Sequence, residues 1–436
     1  MLSLSILALL STASALGLEH PLTLSQRASD VPDIEHWKEV AESQGRELCY
    51  LTPDPDGEDD APAIEDALNN KCRSNSLVVF PGPVYNIETT MTTTELDDVI
   101  IEHYGRLLWT PDVDYWLTVS MPIGFQNQST VWFFGGDNIH WDGHGVGTLD
   151  GNGQVWYDWA EGRGNLPHRP MNINYRGFNN SVVKRMRYVQ SQMWTMTVSY
   201  SENVEFEDIY VNSTSNSSHS TLNTDGVDTM WSDNIAFRRW SVTNGDDCIA
   251  LKGNSSNIYI DGLECWDGAG IAIGSLAQYD GRFEHIENFF VRDVTVHNTV
   301  HAVYLKTWSG NPNGYPPNGG GGGLGYARNI VVQNLTMDLV RQKPFFLWQC
   351  ENYSGDSGKD CNSSTFHFSD IVWKDITGTM ASDINASGWY QCSLAAGGCN
   401  NITVENYTAR RDGEDDVFDV WHCENVHEHE GFECNL

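Results

Sequence analysis
A short pattern returns along this chain and restricts its fold more tightly than any other feature. An asparagine or aspartate precedes an apolar residue and then an alternating stretch. It occurs as Asn138-Ile139-His140-Trp141, Asn203-Val204-Glu205-Phe206, Asn234-Ile235-Ala236-Phe237 and Asn257-Ile258-Tyr259-Ile260. It returns as Asn288-Phe289-Phe290-Val291, Asn329-Ile330-Val331-Val332, Asp370-Ile371-Val372-Trp373 and Asn401-Ile402-Thr403-Val404. Alternation over so short a window reads as a strand. From Val204 onward the strand starts fall at Ile235, Ile258, Phe289, Ile330, Ile371 and Ile402, at unequal intervals. The shortest interval, Ile235 to Ile258, fits one coil of a solenoid, and the longer ones fit a coil carrying a loop. A sandwich or propeller needs antiparallel hairpins, and tight Asn-Gly and Asp-Gly turns between adjacent strands are too few for either. The pattern predicts an all-β chain, a right-handed parallel β-helix forming one domain over residues 18–436.

The flanking segments fit that reading. Pro62 with Ala63 to Asn69, preceded by Asp59 and Asp60, predicts a short capping helix before the strand-like Val78-Val79-Phe80-Pro81. Such a helix would shield the open edge of a solenoid. Tyr315 to Gly325, with Gly319 through Gly323, reads as a flexible loop. It lacks the lysine and hydroxyl residue of a phosphate-binding loop. Met1 to Gly17 reads as a signal peptide: Leu2 to Leu10 is almost wholly apolar, Ala13-Ser14-Ala15 offers a cleavage site, and the run is too short to span a bilayer.

Cysteine usage agrees with export to the outside of the cell. The ten cysteines form no Cys-x-x-Cys pair, which argues against zinc and thioredoxin-type chemistry. Proximity suggests Cys248 with Cys265, Cys350 with Cys361, Cys392 with Cys399 and Cys423 with Cys434, leaving Cys49 and Cys72; spacing alone does not fix connectivity. Glycosylation acceptors occur at Asn127, Asn179, Asn212, Asn216, Asn254, Asn334, Asn352, Asn362, Asn385, Asn401 and Asn406, as in a secreted glycoprotein. The formal charge of −34 argues against nucleic acid and anionic membranes as partners.

Three stretches carry chemistry: Asn223-Thr224-Asp225-Gly226-Val227-Asp228, Gly245-Asp246-Asp247-Cys248 and Gly268-Ala269-Gly270-Ile271-Ala272-Ile273-Gly274-Ser275. Asp246 lies as far beyond the strand start Ile235 as Ala269 lies beyond Ile258. Equal offsets on successive coils stack these positions about 4.8 Å apart. Asp225 lies further beyond Val204, and the polar stretch Asn212 to Ser220 reads as a loop that accounts for the excess. Three carboxylates in one column repel, so at least one should hold its proton. An acid beside ionised carboxylates is what glycoside hydrolysis needs, with acid and base about 6.5–9.5 Å apart in inverting enzymes. As alternatives, these residues make turns or bind calcium, but no dense carboxylate loop surrounds them.

Asn223-Thr224-Asp225, Asp246-Asp247, the Gly268 to Ser275 segment and Lys306 resemble glycoside hydrolase family 28, the polygalacturonases, over roughly Asp54 to Cys399. The likeness is greatest to its fungal exopolygalacturonases, or galacturan 1,4-alpha-galacturonidases. The resemblance implies Asp246 as general acid, Asp225 and Asp247 as holders of the attacking water, and Asn223, Tyr304 and Lys306 as substrate-binding residues. Lys306 would take a substrate carboxylate. It further implies disulfides Cys248–Cys265 and Cys392–Cys399. Two departures stand out. Gly268-Ala269-Gly270 replaces the family's Gly-His-Gly, and Tyr304-Leu305-Lys306 replaces its Arg-Ile-Lys, so an aromatic free to stack on a sugar stands where an arginine would. The expected activity is inverting exo-hydrolysis of α-1,4-galacturonic acid linkages in polygalacturonate by a monomer needing no cofactor and no metal. A rhamnogalacturonan hydrolase is the alternative. A calcium-dependent pectate lyase and a non-catalytic carbohydrate-binding β-helix stand further off.

Overall fold
In the computed structural model the described residues are 31–351 and 360–435. The expected signal peptide and Asn352 lie outside them. The repeat is the register of the fold. Val204 pairs in parallel with Ile235, Ile235 with Ile258, Ile258 with Phe289, Phe289 with Ile330, Ile330 with Ile371 and Ile371 with Ile402. Each coil therefore lays the same position over the previous one, and the unequal sequence intervals differ only in their loops. The architecture is the right-handed parallel β-helix, and its core is a continuous stack of inward aliphatic and aromatic side chains. Burying each such side chain contributes about 1.5–3 kcal/mol.

The asparagine before each apolar residue has its own physical reason. Asn203, Asn234, Asn257, Asn288, Asn329 and Asn401 all adopt φ between 53° and 60°, the left-handed region that asparagine tolerates best. Their side-chain amides form a ladder along the turn. Asn234 donates to Asn203 at 2.8 Å, Asn288 to Asn257 at 2.9 Å, Asn329 to Asn288 at 3.0 Å and Asn401 to Asp370 at 2.8 Å. Among the glycosylation acceptors, Asn334, Asn401 and Asn406 direct their amide nitrogens to Asp293, Asp370 and Asp375 on the preceding coil. Asn127, Asn216 and Asn385 stand exposed on loops.

The capping helix runs over Ala61–Asp66 and continues as a wider turn over Ala67–Lys71. A second helix, Ile34–Gln44, was not expected from the sequence. Asp33 caps it, and Trp37 and Ala41 pack on Leu77 and Val79. All ten cysteines pair, as Cys49–Cys72, Cys248–Cys265, Cys350–Cys361, Cys392–Cys399 and Cys423–Cys434. The glycine-rich loop is not slack as expected. Gly320, Gly321, Gly322 and Gly323 donate backbone bonds of 2.8–3.1 Å to Asn313, Gln278, Ser309 and Ala277. A Cβ on Gly320 would stand 2.3 Å from the Gln278 carbonyl, which is why glycine is needed there. No helix among the described residues is long and apolar enough to cross a membrane.

Candidate active site
The strands Val227–Met230, Asp247–Leu251, Gly270–Leu276 and Val303–Trp308 are successive rungs of one sheet. Their inward residues are apolar, and alternation turns Asp228, Ala250, Ala272 and Tyr304 outward in one column. The three aspartates gather where these strands begin. Asp247 pairs with Gly270, Ala269 N–H donates to Asp246 O at 2.7 Å, and Gly226 N–H donates to Asp247 O at 2.9 Å. One carboxylate oxygen from each of Asp225, Asp246 and Asp247 lies within 4.8 Å of the others. The equal offsets thus place the trio together. The cluster is tighter than the expected spread of about 6.5–9.5 Å, because adjacent rungs set its spacing.

Asp225 and Asp247 are 3% and 1% exposed, whereas Asp246 is half-buried. Burial first, then Asp246, Asp228 and Asp247, pushes the Asp225 carboxyl well above its usual range. Burial and then Asp247 raise Asp246, while Lys306 and the N–H groups of Asn223 and Asp247 pull it back. Like charges this close under low dielectric keep at least one proton on the trio.

The three residues expected to hold substrate, Asn223, Tyr304 and Lys306, each contact an aspartate. Asn223 donates its backbone N–H at 3.0 Å and its side-chain amide at 3.3 Å to Asp246 Oδ2, and its Oδ1 accepts from Asn165 N–H at 2.7 Å. Tyr304 is 8% exposed and does not offer its ring for stacking on a sugar. It reaches back across Ala272 and Ala250, whose small side chains make room, and its hydroxyl donates to Asp247 Oδ1. Lys306 Nζ lies 3.4 Å from Asp247 Oδ2 and 3.0 Å from the Tyr304 hydroxyl. Both oxygens of Asp247 are therefore set by these donors. Tyr304→Phe removes one donor and leaves a buried acceptor short, so kcat is expected to fall about tenfold with KM little changed. Steady-state kinetics at several pH values check this.

Three residues of the site were not picked out from the sequence. His301, on the coil after Ala269, packs at a tilt against Tyr304 with ring centroids 4.9 Å apart and stacks on Phe346 at 5.3 Å. Its Nδ1 faces the Lys343 carbonyl at 2.7 Å, and burial lowers its pKa to about 4. Counted from Phe289, it falls one position beyond the offset shared by Asp246 and Ala269. Lys252 is buried beside Asp228, 2.9 Å from its Oδ1, and donates to the Gly274 carbonyl at 2.8 Å. A lysine ending Ile249-Ala250-Leu251 was a visible clue. Arg169 is buried near enough to Asp225 and Asp246 to feel their charge, and it donates to the carbonyls of Gln192 at 2.5 Å and Leu222 at 3.0 Å.

Residues 120–434 match the family described as Glycosyl hydrolases family 28. Among curated proteins, the chain is 44% identical over 405 residues to Alpha-L-rhamnosidase rgxB of Aspergillus niger, covering 93% of each. It is 30% identical over 408 residues to Exopolygalacturonase of Cochliobolus carbonum, covering 92% of this chain and 90% of that protein. Among solved structures, endo-xylogalacturonan hydrolase from Aspergillus tubingensis superposes with a TM-score of 0.73 at 23% identity, covering 89% of this chain and 98% of the other.

Proposed function
Since the chain belongs to glycosyl hydrolases family 28, a family of pectin-degrading hydrolases, we propose that it removes single terminal α-L-rhamnose units from rhamnogalacturonan. One observation carries the choice of sugar. Lys306, the residue expected to read a uronate carboxylate, is directed onto Asp247, as is Tyr304, which stands where the family's arginine would. A cation already paired in a buried site is costly to redirect to a substrate carboxylate. The similarity to Alpha-L-rhamnosidase rgxB over 93% of both chains agrees with this reading.

In the proposed reaction, Asp246, the most accessible carboxyl of the trio, gives its proton to the glycosidic oxygen as the bond to the anomeric carbon breaks. A water held between Asp225 and Asp247 attacks that carbon and surrenders a proton to the carboxylate pair. Because a water held by two aspartates, and no carboxylate, bonds to the anomeric carbon, the product forms with inverted configuration; a spacing this short is also that of retaining enzymes, and the first-formed anomer seen by NMR decides between the two. The enzyme acts outside the cell as a monomer, a placement that five disulfides support.

A second reading, terminal galacturonic acid, is favoured by the position of Lys306 within the cleft. Lys306→Ala separates the two. With terminal rhamnose as the substrate it acts through Asp247: Lys306→Ala lowers kcat/KM on rhamnogalacturonan oligomers by about tenfold or more, while polygalacturonate oligomers, which carry no rhamnose, are left uncleaved by parent and variant alike. A loss confined to polygalacturonate, or faster turnover of polygalacturonate by the wild-type enzyme, would replace rhamnose with galacturonate.

A further inference from the structure
The strand Ser255–Trp266 carries two outward aromatic rings, Tyr259 and Trp266, which are 36% and 40% exposed. Each is covered by a ring from the following coil. Phe290 stacks on Tyr259 with centroids 5.6 Å apart and planes 13° apart, and His297 stacks on Trp266 at 3.6 Å and 6°. The preceding coil places only Ala236 beneath Tyr259 and Thr243 beneath Trp266. The second face of each ring therefore looks over a small residue. Coils repeat about every 4.8 Å, so the step from Tyr259 down to Glu205, two rungs away, leaves room for roughly one more ring.

A groove of ≈ 480 Å³ opens at that step, lined by Tyr259, Ala236, Glu205, Arg238 and the ladder residues Asn203 and Asn234. Arg238 is engaged by Glu205 at 2.8 Å and by Asp261 at 3.0 Å, so the groove presents no excess of positive charge. An aromatic face with a neutral polar rim suits the C–H face of a neutral pyranose ring, whose hydroxyls reach the rim. A uronate would find no cation to spare, because Glu205 and Asp261 already engage Arg238 and Asp261 also engages Arg292 at 2.6 Å. The groove lies on the sheet that follows the aspartate-bearing strands, around the corner formed by Lys252 to Asn254.

We infer that this groove is an auxiliary docking site for neutral sugar units of a polysaccharide, with Trp266 as a second platform on the same strand. It holds a polymer to the enzyme while the aspartate cleft works elsewhere on it. The hydrolase reading supplies only the choice of polysaccharide.

The test uses the full chain carrying Asp246→Asn to stop turnover, run in native gels containing rhamnogalacturonan with neutral galactan side chains or containing polygalacturonate. Retardation is expected with the first polymer and not the second. Ala236→Leu, which fills the step and spares the ring, and Tyr259→Ala should each weaken retardation about tenfold, a size consistent with loss of one stacked ring. With Asp246 restored, both variants should keep kcat/KM on a short oligosaccharide within about twofold of the parent, as expected for a contact outside the cleft. Unchanged retardation in both variants overturns the proposal, as does loss of oligosaccharide turnover in parallel with it. If retardation and its loss in the variants occur in a protein that hydrolyses no pectic oligosaccharide, the groove stands and the hydrolase reading falls.

Discussion
Asp246→Asn is expected to lower kcat by about 10³-fold, some 4 kcal/mol of transition-state stabilisation, while the protein melts at or above the parent temperature. The first half follows from the proton. An amide cannot protonate a leaving oxygen, and neither Asp225 nor Asp247 is as accessible from the cleft. The second half follows from the local bonds. Asp246 accepts from Asn223 N–H and the Asn223 amide through Oδ2, and from Asp247 N–H through Oδ1. An asparagine has one acceptor oxygen, so the change sacrifices bonding on one side, a cost of about 1–2 kcal/mol. Against that, it removes one of three crowded carboxyls, which burial and then mutual repulsion already push upward at Asp225 and Asp246. Parallel kinetics and thermal melts at pH 7 measure both halves. A variant within about tenfold of wild type would end the assignment of Asp246 as the acid.

The second large effect is on stability. Lys252→Met should cost about 3–5 kcal/mol near pH 8, because Asp228, in a site of 0% exposure, must then either keep an unpaired charge or take up a proton from solvent. For a chain of this size that is a fall of roughly 4–6 °C in melting temperature. The loss should shrink by pH 5. Burial raises the Asp228 carboxyl to about 7 even with Lys252 beside it. A carboxyl raised in the folded state binds a proton that the unfolded chain has already released. The resulting stabilisation is present on the acid side and is lost as pH rises from about 4 to 7. Asp225 and Asp246 are raised as well, so the wild-type protein should itself melt higher at pH 5 than at pH 8. Adding Asp228→Asn to Lys252→Met should recover much of the loss at pH 8. An equal fall at pH 5 and pH 8 would show that Lys252 contributes by packing rather than by charge.

How much of this was legible beforehand depended on whether a feature was periodic. The solenoid was legible because its register repeats: Val204, Ile235 and Ile258 occupy one rung position, and their shared offset carries Asp246 and Ala269 to neighbouring rungs. The meeting of the aspartates followed from that arithmetic. The side-chain directions of Tyr304 and Lys306 did not, because they depend on Ala250 and Ala272 leaving a path back to Asp247 across two coils. A sequence displays neighbours along the strand, while these contacts run across it. The helix Ile34–Gln44 was missed for a related reason: only Trp37 and Ala41 are buried, with Val40 partly so, too few to raise an apolar periodicity above the charged residues around them.

The reach of Tyr304 bears on how the protein is made. In a parallel coil ordering can start at any rung and spread to its neighbours, and during synthesis the rungs become available in chain order. Asp225, Asp246 and Asp247 come together when the strand Asp247–Leu251 docks on Val227–Met230. Their clamp arrives two coils later, with the strand Val303–Trp308. A nascent chain released before that strand would carry a complete set of acids with Asp247 still unfixed. Competence is acquired in two instalments along the axis, the reactive groups first and their alignment afterwards.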